Sequence, residues 1–202
     1  MLRFTGGLLA AAMLLAGLGT PALAGKHNEK LNIGDKAPVI PALPGADDTV
    51  YGFDTFKDKD AVVVVFTCNQ CPVAQAYNER FNQFVKNYED KSVGFLAVNV
   101  NLGKTEHLPA MKTFAKENGL HYPYVWDKTQ KSGKAYGATV TPHVFVLDKD
   151  RNVAYMGAWD DHWQNAEGVE KAYTTDAVEA VLAGKAPKET ETLQRGCGIK
   201  YE

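Results

Sequence analysis

Two cysteines, Cys68 and Cys71, stand three positions apart in "FTCNQCPV", residues 66–73, between a run of valines and a proline. Cysteines at this spacing can form a structural disulfide, hold a metal ion, or exchange disulfides with another molecule. As a staple the pair is poorly placed. In the chain-entropy model so short a loop is worth about 2 kcal/mol, whereas joining either residue to Cys197 would be worth about 5 kcal/mol. Structural zinc takes four ligands, and this chain offers one CxxC with neither a second pair nor a closely spaced pair of histidines. Copper(I) is satisfied by fewer soft ligands, and Cys68, Cys71 and His143 would supply two thiolates and an imidazole. The reactive reading has a positive physical case. The pair lies where a buried strand gives way to a helix, so helix N–H groups and the positive end of the macrodipole face the first sulfur and favour its thiolate. Cys71, one turn further in, would attack a mixed disulfide formed at Cys68 and release the reduced partner.

Three further stretches could join this chemistry. In "VTPHVF", residues 140–145, a proline directly before a strand is compatible with a cis Thr141–Pro142 bond, which would turn the chain and expose the backbone of Thr141. His143 reads as a loop residue or hydrogen-bond donor near the site, with metal ligand or proton carrier as the alternative. Cys197 lies between Gly196 and Gly198 in "RGCGIKY", so its backbone can approach another segment closely. With an odd number of cysteines it is either a free or intermolecular thiol on a loose tail, or a third redox thiol brought back to Cys68 and Cys71. "WDDHW", Trp159 to Trp163, reads as an Asp-capped turn with Trp packed over the sheet edge, or else as a partner-binding rim.

The elements that must position these residues follow from periodicity. "AVVVVF", residues 61–66, is a continuous β-branched run, as expected of a central strand buried on both faces. Val73, Tyr77, Phe81, Phe84, Val85 and Tyr88 recur at helical spacing and predict one amphipathic helix from Pro72 to Tyr88, with Pro72 in its first turn. "VGFLAVNV" (93–100) is a second buried strand, followed by a helix from Glu106 that stops at Gly119. "HYPYVWD" (121–127) is a shorter strand, and Asp127 with Gln130 resembles a capping box opening a helix to Tyr136. "HVFVLD" and "VAYMGAW", joined by "KDRN", form a hairpin. Thr174 or Thr175 caps a last helix that ends at Gly184. Strands alternating with helices and then a hairpin predict an α/β domain with a mixed central β-sheet and helices on both faces.

Residues 1–24 read as a signal peptide: Arg3, an apolar stretch from Leu8 to Leu18, and Ala22-Leu23-Ala24 as the cleavage site. The stretch is too short for a convincing membrane span. The remaining chain is expected to be exported, periplasmic or secreted, with no stable membrane insertion. It divides into a domain at 25–184 and a C-terminal tail at 185–202 that contains Cys197. The formal charge is −2, and −3 without the leader's Arg3, with lysines scattered rather than clustered; this argues against nucleic acid as a partner. Three cysteines suit a compartment where disulfides persist. No motif asks for a cofactor.

Taken together, "VVVVF", the CxxC at a helix start and "TPHVFVLDKDRNVAYMG" resemble the strand, active site, cis-proline loop and hairpin of the thioredoxin superfamily, in its redoxin branch. "IGDKAPVI" and "FDTFKDKDAVVVVF" resemble the entry of the alkyl hydroperoxide reductase/thiol-specific antioxidant group and of exported thioredoxins. "CNQCPVAQAY" with "GCGIKY" resembles a set of exported redoxin-domain proteins that carry a C-terminal Gly-Cys-x-Ile-Lys-aromatic signature. The resemblance runs from Leu31 to Gly184. It implies a thioredoxin-like fold, Cys68 as nucleophile, Cys71 as resolving cysteine, and Thr141–Pro142 as the cis-proline loop beside them. Its substrates would be protein or small-molecule thiols and disulfides, with a redox partner protein. The departures are Thr67 for the usual Trp, Asn69-Gln70 for Gly-Pro, and Val62 for a buried acid, so proton transfer at Cys71 needs another group or water. The expected function is an exported thiol–disulfide oxidoreductase. A copper(I)-binding or copper-delivery module using Cys68, Cys71 and His143 is one alternative. A peroxiredoxin-type thiol peroxidase is the other; Cys71-Pro72 imitates its motif, but Cys68 stands where its Thr is expected and His143 where an Arg is wanted.

Overall fold

The structure is a computed structural model that describes residues 25–202 together with Met1; the expected signal peptide lies outside the described residues. The chain enters through β1 (Leu43–Pro44) and β2 (Val50–Tyr51), which pair antiparallel, and a 3-10 turn at Phe53–Phe56. Then come β3 (Ala61–Phe66), α1 (Pro72–Ala76), α2 (Asn78–Asn87), β4 (Val93–Asn99), α3 (Leu108–Glu117), β5 (Tyr124–Trp126) and α4 (Lys131–Tyr136). They are followed by β6 (Val140–Thr141), β7 (His143–Leu147), β8 (Val153–Gly157), α5 (Tyr173–Leu182) and β9 (Cys197–Gly198).

The main sheet has the order β5-β4-β3-β7-β8, with β3, β4 and β5 parallel and the β7–β8 hairpin antiparallel to β3. Every residue of β3 is buried, and the pleat sends its side chains alternately to two cores. Val62, Val64 and Phe66 meet the entry segment and Tyr136 of α4. Ala61, Val63 and Val65 meet α2, Met111 of α3 and the inner face of α5. This is the α/β thioredoxin-like fold, a mixed sheet with helices on both faces. Among the described residues, no helix is long and apolar enough to cross a membrane.

Local details depart from the periodic reading. The helix expected over Pro72–Tyr88 is two pieces, because the Tyr77 N–H tightens onto the Ala74 carbonyl (3.1 Å) and breaks the regular ladder between α1 and α2. No capping box joins Asp127 and Gln130. The Asp127 carboxylate instead accepts from the Ser132 amide (2.8 Å) and hydroxyl (2.6 Å), while Gln130 is buried with φ 60°. Neither Thr174 nor Thr175 caps α5: both lie inside it, after Ala172 at its N-cap.

The C-terminal segment is not loose. It crosses the end of β8, where Met156 and Thr190 to Thr192 exchange backbone hydrogen bonds, and β9 then pairs antiparallel with β6. The Gln130 amide clamps its end, donating to the Lys200 carbonyl (2.8 Å) and accepting from the Glu202 N–H (2.8 Å), and the Tyr201 hydroxyl donates to the Ala138 carbonyl (2.6 Å).

The core behind the sheet depends on Phe81, fully buried among Tyr77, Phe95, Tyr122 and Trp159 with ring centroids 4.7–5.8 Å away. Phe81→Ala should cost about 3–5 kcal/mol, as large-to-small core substitutions do, read as a lowered urea midpoint at unchanged slope.

Candidate active site

The register between β3 and β7 creates the site. Phe66 is the last residue of β3 and faces His143, the first of β7, so the chain leaving β3 meets the chain entering β7. Thr67 keeps one more ladder bond, its N–H donating to the Val98 carbonyl (3.0 Å), and the loop 68–71 follows at the carboxyl ends of the parallel strands. Cys71 is the N-cap of α1, with Pro72 in the first turn. Opposite stands Thr141, followed by a cis peptide to Pro142. The Thr141 hydroxyl lies 3.1 Å from Cys68 Sγ, and its carbonyl oxygen accepts from Cys71 Sγ at 3.0 Å.

Cys197 is also here. The β6–β9 ladder sets it opposite Thr141, and its N–H donates to Cys71 Sγ at 3.3 Å. A Cβ on Gly196 would overlap the Thr141 carbonyl, so the tail can pass this closely only with glycine at that position. Cys68, Cys71, Thr141 and Cys197 line one open cleft of about 530 Å³ with Thr105, Glu106 and Lys200 among the other walls. Cys197 is exposed; Cys68 is 7 % exposed and Cys71 only 1 %, so Cys68 is the sulfur of the close pair that an incoming molecule meets first.

Behind the loop stands a set of residues that the sequence alone does not point to. Glu106 does not begin α3 but turns back, buried, and its carboxylate accepts from the amides of Asn69 (2.9 Å) and Gln70 (3.1 Å) and from Asn99 Nδ2 (2.7 Å). Asn69 extends the brace: its Nδ2 donates to the Thr105 carbonyl (2.6 Å) and its Oδ1 accepts from the Tyr124 hydroxyl (2.8 Å). The loop amides between the cysteines are thus spent on a carboxylate rather than on a sulfur. Pro109, which suits a first helical turn, was the available signal that α3 starts at Leu108 and leaves Glu106 outside it.

Hydrogen bonding between the two close thiols is the largest influence on each, raising Cys68 and lowering Cys71. The 3.0 Å approach of Cys71 Sγ to the Thr141 carbonyl opposes this division, because an oxygen that can only accept is satisfied there by an S–H. Both sulfurs are equipped to hold charge. Cys68 has the Thr141 hydroxyl, Cys71 the amides of Ala74 and Cys197, and the titration belongs to the pair. The Cys197 thiol is pushed up to about 11, first by its hydrogen bond with Cys71 and then by burial.

His143 does not join the cysteines. The alternation of β7 sends its ring to the same face as Phe145, 4.6 Å away, where it is buried with Nδ1 lacking a protein partner. Among the described residues no three His, Cys, Asp or Glu side chains gather closely enough to hold a metal ion, so the set Cys68, Cys71 and His143 expected of a copper site is not assembled. No arginine lines the cysteine cleft. Trp159 packs into the aromatic core, and Asp160 accepts from the Tyr77 hydroxyl (2.9 Å) and pairs with Arg80. Beyond Pro142, Trp159, Asp160, Trp163 and Arg195 line a second cleft of about 270 Å³.

A mixed sheet with a CxxC pair at the end of its central strand, facing the loop that leads into the neighbouring antiparallel strand, defines the class of thioredoxin-fold dithiol proteins. Within that class the chain belongs to the Redoxin family, whose model matches residues 32–174. It is related to the thiol-disulfide oxidoreductase ResA of Bacillus thuringiensis (strain Al Hakam), 28% identical over 148 residues that make up 72% of this chain and 81% of the relative. Among solved structures it is similar to a hypothetical protein from Sinorhizobium meliloti 1021, with 32% identity and a TM-score of 0.79 over 87% of this chain and 97% of that one. An uncharacterized conserved protein from Geobacillus kaustophilus matches at 31% identity and a TM-score of 0.79, covering 92% of this chain and 98% of that one.

Two outcomes are expected from these environments. Burial holds the His143 imidazole neutral and lowers its pKa from 6.5 to about 3. The unfolded chain therefore binds the extra proton first, and stability falls as pH drops from about 6.5 towards 3, by on the order of 4 kcal/mol at the lower end. His143→Leu should flatten this acid limb in urea titrations. Glu106→Gln places an amide donor against the loop's own donors, which should cost about 1–3 kcal/mol. It also removes a negative charge that raises Cys68, so the pH midpoint for alkylation of Cys68 should move down; an unmoved midpoint would reduce Glu106 to a brace.

Proposed function

We propose that this protein is an exported thiol–disulfide oxidoreductase in which Cys68 forms a mixed disulfide and Cys71 resolves it. The observation that carries the reading is the pair of contacts from one residue, Thr141, to both sulfurs at the wall of an open cleft. The Cys68 thiolate attacks one sulfur of a disulfide substrate, and the other sulfur leaves as a thiolate that takes up a proton. Cys71 then loses its proton to solvent and attacks Cys68, the second substrate thiolate leaves, and a Cys68–Cys71 disulfide remains. The substrate has gained two electrons and the dithiol has lost them; a dithiol partner protein restores it.

The residues divide this work. The Thr141 hydroxyl stabilises the charge on Cys68 each time it is the leaving or attacking sulfur. The Thr141 carbonyl holds the Cys71 thiol inward until the mixed disulfide draws it out. Pro142 forms the partition between the cysteine cleft and the aromatic one, where an extended substrate could rest on Trp159 and Trp163. The ResA relative is a thiol-disulfide oxidoreductase by name, which supports the same reaction here. The leader pattern at residues 1–24 supports export.

The test is the equilibrium reduction potential in glutathione and dithiothreitol buffers, with alkylation reporting the paired residues. In Cys197→Ser, which leaves only the close pair, a reversible Cys68–Cys71 couple is expected. Cys71→Ser should accumulate a mixed disulfide at Cys68, and Cys68→Ser should lower turnover by on the order of 10³-fold or more, as loss of a covalent nucleophile does. Full turnover by Cys68→Ser would overturn the reading.

A further inference from the structure

Resting on that reading, we infer that Cys197 is a third redox thiol that takes the disulfide over by attacking Cys71, so that the oxidised protein carries a Cys71–Cys197 bond and a free Cys68. Four observations converge on it. The β6–β9 ladder sets Cys197 opposite Thr141, the residue that touches both other sulfurs. The Cys197 amide donates to Cys71 Sγ, whereas no hydrogen bond joins Cys197 to Cys68, which makes Cys71 the sulfur under attack. Gly196 has the close packing that holds this register, and Gln130, Tyr201 and the Ile199 N–H fasten the chain beyond it. Cys197 is exposed on the rim of the cleft in which Cys71 is buried.

The exchange balances without an outside oxidant. In the Cys68–Cys71 disulfide, Cys197 loses its proton and its sulfur bonds to Cys71 Sγ; the Cys68–Cys71 bond breaks, and Cys68 leaves as a thiolate, receives the Thr141 hydroxyl and takes up the proton. The environment times the step. The influences that raise the Cys197 thiol come from the reduced Cys71, through hydrogen bonding and charge, with burial beside them. Once Cys71 is in a disulfide its hydrogen bond with the Cys197 thiol is gone, and Cys197 becomes easier to ionise when there is a bond for it to attack.

The result is a site with two doors. Cys68 is freed to meet a second substrate disulfide, while the oxidising equivalents stand on an exposed strand where a reducing dithiol protein reaches Cys197. A buried Cys68–Cys71 bond would require substrate and reductant to use the same sulfur in turn.

The experiment oxidises the full chain with glutathione disulfide, quenches in acid, alkylates, digests with trypsin and maps the linkages by mass spectrometry. Trypsin leaves Cys68 and Cys71 on one peptide and Cys197 on residues 196–200, so a crosslink between the two peptides reports a bond to Cys197, and fragmentation of the 60–80 peptide locates the alkylated cysteine; alkylation on Cys71 with Cys68 in the crosslink would overturn the inference. The expected product in the wild type is a crosslink between Cys71 and Cys197 with Cys68 alkylated. In Cys197→Ser that Cys68 alkylation should be lost, with Cys68–Cys71 the sole disulfide. Cys68→Ser should still form Cys71–Cys197. Cys197 alkylated in every oxidised sample alongside a Cys68–Cys71 bond would overturn this inference and leave the dithiol reading standing. Failure of Cys197→Ser to form Cys68–Cys71 would overturn the dithiol reading and the relay with it.

Discussion

Thr141 meets all three cysteines through three different groups: its hydroxyl reaches Cys68, its carbonyl Cys71, and its place in the β6–β9 ladder Cys197. Its position is set by sheet register rather than by its own preferences. The β3–β7 pairing places Phe66 against His143, which leaves Thr141 two residues from the end of the ladder and level with the loop after Thr67. A slip of one residue would turn His143 to the opposite face and carry Thr141 away from both sulfurs. The fully buried valines of β3 and β7 prevent such a slip, because each already fills one of two cores.

A buried dithiol must also keep its loop rigid without helix-derived help, since α1 is a single short turn. The protein does this with a carboxylate. Glu106 accepts three neutral N–H donors and, among the described residues, forms no salt bridge, which suits a charge held by directed hydrogen bonds in a buried position. Asn69, Asn99 and Tyr124 complete a network whose members satisfy one another and tie the segment between the cysteines to β4 and β5. The cost is electrostatic: the same charge opposes a thiolate on Cys68, and the Thr141 hydroxyl offsets it.

What the sequence made legible was whatever repeats or is spaced locally. β3 and β4 announced themselves as continuous apolar runs, the hairpin through two such runs around "KDRN", and the dithiol through the spacing of Cys68 and Cys71. The residues that escaped were those whose partners lie far along the chain. Glu106 reads as the first residue of a helix, and nothing near it points to Asn69. Gln130 reads as half of a capping box, whereas its amide is spent on Val100 and Lys200. Thr174 reads as a cap because hydroxyls favour caps, yet the helix starts one residue earlier and buries it. His143 reads as a loop residue or hydrogen-bond donor beside the cysteines until the alternation of β7 is counted from Leu147 backwards.

Gln130 shows why these missed contacts matter together. It is held at φ 60°, a left-handed conformation that costs a non-glycine residue on the order of 1 kcal/mol or more, and keeps it because its side chain makes three bonds no neighbour could supply. Two of those bonds fasten the tail just past Cys197; the third holds Val100, the residue after Asn99, whose amide grips Glu106. The strand that delivers the third thiol and the carboxylate that braces the first two are therefore tied to one side chain. Docking of the tail and rigidity of the dithiol loop are linked through Gln130, and the cleft acquires its final shape only when residues from positions 68, 106, 141 and 197 are held at once.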